Sequence, residues 1–160
     1  KQREGFRPFA PAVLSECMEK IFINPAPSPH MSFVFFLKEK FRKSSSKLEL
    51  NKKILSSTEF INLKSAVIHD DWSARVQTVT SETNGIFYDI IKLFYQTTGC
   101  PMLINTSFNV RGEPPVLDYC DSFRCFMRAQ IDLLVVENLL LERSFQPLLE
   151  PHEIEQFNPD

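Results

Sequence analysis

Glycine is scarce in this chain, with four residues, at positions 5, 85, 99 and 112, among 160. A GxGxxG dinucleotide turn and a GxxxxGK phosphate loop each need clustered glycines, so neither can be written anywhere along it. A nucleotide, if bound, must be held differently. The longest uncharged apolar run, 31–37, falls far short of the ~18 residues that cross a bilayer, so no membrane partner is expected. With 18 Lys plus Arg against 20 Asp plus Glu the formal net charge is −2, which argues against a general nucleic-acid binder while leaving room for a local cationic pocket.

At this length folding buries roughly two thirds of the unfolded surface, enough for one compact domain over 1–160 without covalent staples. Cys17, Cys100, Cys120 and Cys125 make no CxxC pair, and His30, His69 and His152 stand too far apart for an HExxH helix. No metal site is therefore expected within this domain. The chain has no initiating Met and no charged-then-apolar leader, and reads as a cytoplasmic piece of something longer.

Pro8 and Pro11 favour an extended opening that leads into a short helix over 13–21. Strands are expected at 33–37 (a buried one), 63–68, 75–80, 102–105 and 133–137. Between 38 and 53 seven Lys and Arg stand against two Glu. Only Phe41 interleaves them to stack on a base, so 38–62 reads as a surface excursion rather than a nucleic-acid patch. Phe87, Ile90, Ile91 and Phe94 recur at i, i+3, i+4 and i+7, the pattern of one buried helical face, with Asn84 as N-cap and Gly99 as stop. Asp118 and Asp121 have capping-box spacing ahead of Phe123, Phe126 and Met127, predicting a second helix to about Ala129. A loop is expected through 106–109 to Pro114 and Pro115, and 144–160 reads as an extended tail.

Three polar clusters stand beside these strands: Lys1 with Arg3 and Arg7, the stretch from His69 to Arg75, and the stretch from Asn105 to Arg111. The planar Arg fork suits two oxygens of a phosphate or carboxylate, and hydroxyls with freed backbone N–H groups can complete an anion cradle. A lone Arg is more often a surface charge, so spacing alone does not establish a site. His69 with Asp71 has the chemistry of a base or metal pair, though one imidazole beside one acid is more often a structural hydrogen bond.

The strings Lys1-x-Arg3-Glu4-x-Phe6-Arg7-Pro8-Phe9-Ala10-Pro11, Ser28-Pro29-His30-Met31, His69-x-Asp71 leading to Arg75-Val76-Gln77-Thr78-Val79, Thr98-Gly-Cys-Pro-Met-Leu-Ile-Asn-Thr-Ser-Phe-Asn109 and Arg111-Gly112-Glu113-Pro114 carry more information together. In order and spacing they resemble the C-terminal domain of the O-carbamoyltransferases that include nodulation protein U and antibiotic-tailoring enzymes, from Lys1 to about Arg143. The resemblance implies a single YrdC-like α/β (α+β) domain, a twisted mixed sheet with flanking helices around a deep cationic cavity. It also implies a partner, an N-terminal domain of the actin and sugar-kinase-like class that is absent here, holds an iron-type metal and passes the carbamoyl group to a substrate hydroxyl.

In such enzymes the YrdC-like domain uses carbamoyl phosphate and ATP, accompanied by Mg2+, to make carbamoyl adenylate with loss of pyrophosphate. Carried over residue by residue, the catalytic contacts fall on Lys1, Arg7, Arg75 and Ser107. Asn105, Thr106 and Asn109 shape the turn of the substrate and ATP site, and His69, Asp71 and Arg111 are secondary candidates. Lys1 and Arg7 are expected on carbamoyl phosphate, Arg75 and Ser107 where that anion meets the nucleotide. Glu4 and Glu113 are expected to orient neighbouring Arg side chains. Where relatives read Asp-Gly-Thr this chain has Asp71-Trp72-Ser73, an indole in place of a hydrogen. The alternative is a YrdC-like module that binds nucleotide or RNA without turnover.

Overall fold

Residues 10–14, Ala-Pro-Ala-Val-Leu, carry no polar side chain, which suits a strand covered on both faces. In the computed structural model they form β1 (Ala10–Leu14), the middle of a three-stranded sheet. It runs parallel to β4 (Gln77–Val79) and antiparallel to β5 (Met102–Asn105). The structure describes residues 8–42, 66–110 and 112–148, which gather into two compact units that divide between Thr106 and Ser107. The chain is of the mixed α/β class.

In the first unit the helix expected over 13–21 shrinks to a 3-10 turn (Ser15–Cys17) and α1 (Met18–Ile21), because Val13 and Leu14 are taken up by β1. Pro11 fits a central strand because pairing with β4 begins only at Ala12, so no ladder bond on that side is lost. The alternation along β1 feeds two cores. Ala12 and Leu14 pack with Cys17, Val79 and Ile91. Val13 packs on the other side with Met18, Phe22, Phe35, Leu37, Ala74 and Val76.

A hairpin-like pair covers the second core: β2 (Val34–Phe36) is antiparallel to β3 (Ser73–Arg75), with Val34 opposite Arg75. The strand expected at 33–37 is buried on one face only, with Phe35 and Leu37 inside and Phe33, Val34 and Phe36 exposed. The single strand expected at 75–80 is two, β3 and β4, which belong to different sheets. Ala66 and Val67 are helical rather than extended. Ile68 is irregular rather than extended, while residues 63–65 of that expectation, and the basic excursion beyond Arg42, lie outside the described residues.

Helix α2 (Ser81–Thr98) lays Phe87, Tyr88, Ile91 and Tyr95 on the core around β1. The face predicted from spacing is rotated, since Ile90 (52%) and Phe94 (38%) are exposed. The cap is also shifted: Thr80 is the N-cap and accepts from the Thr83 N–H, while Asn84 Oδ1 accepts from the Thr80 N–H at 3.3 Å. The helix breaks at Gly85 (φ 35°, ψ −110°), a conformation closed to residues with a Cβ. Beyond its chain neighbours and the helix's own backbone, no atom lies within 4 Å of where a Cβ would stand. Gly85→Ala should therefore cost about 1–2 kcal/mol of backbone strain and nothing from crowding, readable as a lowered urea midpoint at unchanged m. The helix ends as expected at Gly99, left-handed at φ 78°, whose N–H donates to Tyr95 O.

In the second unit α3 (Tyr119–Arg128) begins as expected, with the Asp118 carboxylate accepting from the Asp121 N–H at 2.8 Å. It packs on β6 (Leu133–Val136). β6 turns through Glu137, at φ 53°, into β7 (Leu139–Glu142), a hairpin partner beyond the strands expected from the sequence. A 3-10 turn over Arg143–Phe145 opens the tail, and the tail from residue 149 onward lies outside the described residues. All four cysteines are free thiols. No helix among the described residues is long and apolar enough to cross a membrane.

Candidate functional site

In β3 Ser73 and Ala74 are buried, and Arg75, the last residue of the strand, is exposed. Its Nε–H donates to the Met31 carbonyl at 2.8 Å. That bond fixes the plane of the guanidinium and leaves the terminal nitrogens for a bidentate anion. Met31 itself sits at φ 58°, a strained left-handed value for a side chain of its size. It closes a turn in which its N–H donates to Ser28 O at 3.2 Å.

That turn is seated on β4. The Ser28 N–H donates to Thr78 Oγ1 at 2.8 Å, and the Thr78 N–H donates to Ser28 O at 3.0 Å. Ser28 is fully buried and Thr78 nearly so. The two bonds cover what would otherwise be an open strand edge. From β5 Asn105 Nδ2 donates to Gln77 Oε1 at 2.6 Å and lies 3.7 Å from Met31 Sδ. The 28–31, 75–79 and 105 motif positions, far apart along the chain, thus meet in one place. Arg75 and Asn105 are the expected site residues brought together there. Ser28, Met31, Gln77 and Thr78 belong to the matching strings but are not legible as site residues in the sequence, because their contribution is a carbonyl, a turn and an amide contact rather than a charge.

In the second unit Ser107 Oγ donates to Asn109 Oδ1 at 2.8 Å, and Asn109 Nδ2 donates to Glu113 O at 2.7 Å, so the Asn109 side chain links Ser107 to the Glu113 backbone. The Glu113 side chain pairs with Arg128 on α3 rather than with a sequence neighbour, both side chains being largely buried. Thr106 is exposed at the end of β5. Lys1, Arg3, Glu4, Arg7 and Arg111 lie outside the described residues.

Asp71 does not form a hydrogen-bonded pair with His69. Its carboxylate accepts from the Ser73 N–H at 2.9 Å, an Asx turn that holds the start of β3. Between them Trp72 takes φ 68°, the glycine-like conformation at the position where the resemblance calls for glycine, and its indole packs half-buried on the β2–β3 core. Among the described residues no three His, Cys, Asp or Glu side chains gather as a metal-ligand set.

The hydrogen bonds from Ser73 hold the Asp71 carboxyl below the usual carboxylate range. A folded-state value below the unfolded one contributes stability above the unfolded value, about 3.9, and loses it as pH falls through the folded value. The melting-temperature gap between wild type and Asp71→Asn, small because the group is exposed, should be present at pH 7 and close below about pH 4.

Residues 1–143 match the family described as Carbamoyltransferase C-terminus. The chain belongs to that family. It is 44% identical over 151 residues to an uncharacterized protein of Synechocystis sp., covering 92% of this chain and 24% of that protein. It is 36% identical to nodulation protein NolNO of Sinorhizobium fredii, over 89% of this chain and 19% of that one. With the 3'-hydroxymethylcephem-O-carbamoyltransferase of Streptomyces clavuligerus it shares 31% identity over 84% of this chain and 22% of that enzyme. The chain thus spans about a quarter or less of the length of the curated relatives it matches.

Proposed function

We propose that this domain binds carbamoyl phosphate and ATP and makes carbamoyl adenylate, which an N-terminal domain of a longer chain passes to a substrate hydroxyl. The observation that carries the reading is the exposed Arg75 guanidinium, oriented by the carbonyl of Met31, a residue that Asn105 also reaches. In a family of carbamoyltransferases, a fixed two-pronged cation is what a small phosphorylated carbonyl compound requires.

The chemistry divides simply. Carbamoyl phosphate takes up water to give carbamate and phosphate. A carbamate oxygen then attacks the α-phosphorus of ATP, the α–β anhydride bond breaks, and pyrophosphate leaves. Charge on the pentavalent transition state and on the leaving group must be neutralised by cations, here Arg, Lys and the Mg2+ that travels with the triphosphate. Iron-type chemistry would belong to the N-terminal domain, and the cytoplasm supplies both phosphorylated substrates.

Calorimetric titration of the full chain with carbamoyl phosphate, and separately with Mg-ATP, tests the reading. Saturable binding of both is expected, and a folded sample that takes up neither would remove it.

A further inference from the structure

The Arg75 guanidinium is anchored by a backbone carbonyl, so its direction depends on whatever holds that carbonyl. Met31 O belongs to a turn whose other end, Ser28, is clasped by both the hydroxyl and the N–H of Thr78. Thr78 lies three residues beyond Arg75 and is nearly inaccessible to solvent, so it cannot touch a ligand bound at the exposed Arg75 side chain. We infer that Thr78 is a positioning residue for Arg75, acting through the Ser28–Met31 turn.

Three features support a relay rather than a simple core contact. The Thr78 hydroxyl receives the buried Ser28 N–H, which has no other acceptor among the described residues. Ser28 Oγ accepts in turn from the Phe33 N–H at 3.3 Å, so the turn is pinned at both of its ends. Met31 is held at φ 58° against its own preference, and strain of that kind persists only where the surroundings enforce it. Removing the hydroxyl would let Met31 relax and its carbonyl swing away, leaving the Arg75 side chain intact but no longer aimed. A displacement of about 1 Å in a positioning group can cost on the order of 100-fold.

The inference rests on the reading of Arg75 as an anion-binding residue, and the experiment separates the two. Carbamoyl phosphate is titrated calorimetrically into the full chain carrying Arg75→Ala, Thr78→Val, Thr78→Ser or Met31→Gly, each checked for a cooperative thermal transition. The expected result is loss of measurable binding in Arg75→Ala and a 10- to 100-fold weaker dissociation constant in Thr78→Val. Thr78→Ser, which keeps the acceptor, should stay within about threefold of wild type. Met31→Gly adopts the left-handed backbone without strain, so its fold is not penalised, yet the turn is looser and binding should weaken. Should Thr78→Val fail to fold, Met31→Gly decides. Wild-type affinity in whichever of these folds, alongside loss in Arg75→Ala, overturns the positioning role and leaves the site standing. Wild-type affinity in Arg75→Ala overturns the site itself.

Discussion

Arg75→Ala is expected to lower pyrophosphate formation from ATP and carbamoyl phosphate by at least about 100-fold, the usual cost of removing one preorganised donor from a developing charge. The side chain is exposed on β3, and its documented tie is one hydrogen bond to Met31 O. Its removal should therefore leave the melting temperature nearly unchanged. That separation of effects is the signature of a binding group rather than a structural one. Arg75→Lys should recover little, because an ammonium cannot donate sideways to the Met31 carbonyl while presenting a two-pronged face to the anion. A steady-state assay of pyrophosphate release, paired with thermal denaturation, checks both halves.

Phe22→Ala should be the most destabilising single change of those considered, at about 3–5 kcal/mol, lowering the melting temperature by on the order of 10 °C. Phe22 is fully buried, stands 6.3 Å from the Phe35 ring, and is bridged to Leu37 at the end of β2. Around it the Lys38 N–H donates to Ile21 O and the Leu37 N–H donates to Trp72 O, so this one ring sits where α1, β2 and the start of β3 are tied together. The loss should reach Arg75 through β3. By contrast Phe33, which is 53% exposed although its ring also lies 6.3 Å from Phe35, should cost about 1 kcal/mol or less as Phe33→Ala. Urea titration of both variants distinguishes a cavity in the core from the loss of a surface contact.

Local signals are legible where they are complete within a few residues. The Asp118 cap, the Gly99 stop and β5 stand where spacing and capping chemistry place them. Failures came where the partner is distant. Val13 and Leu14 have the composition of a helix start, but β4 on one side and β5 on the other claim them for a central strand. Ile90 and Phe94 fit the helical period, yet the face that packs is selected by the sheet beneath, which takes Tyr88 and Tyr95 instead. β7 is hidden in the sequence because Glu137 and Asn138 lack the glycine that usually marks a two-residue hairpin, and Glu137 takes the positive φ itself.

The site divides along similar lines. Arg75 was legible because a charged fork inside a matching string announces its chemistry. Met31 was not, since what it supplies is a carbonyl common to every residue, and only the fold shows that this one receives Arg75 Nε–H. His69 and Asp71 illustrate the converse: both side chains suit catalysis by type, while Asp71 holds a turn for Ser73.

The most direct measurement is the identity of the phosphorus products when the full-length protein is given Mg-ATP with and without carbamoyl phosphate, followed by phosphorus NMR. The account predicts pyrophosphate that appears only with carbamoyl phosphate present and disappears in Arg75→Ala. ADP with orthophosphate in place of pyrophosphate, or pyrophosphate formed equally well without carbamoyl phosphate, would contradict it.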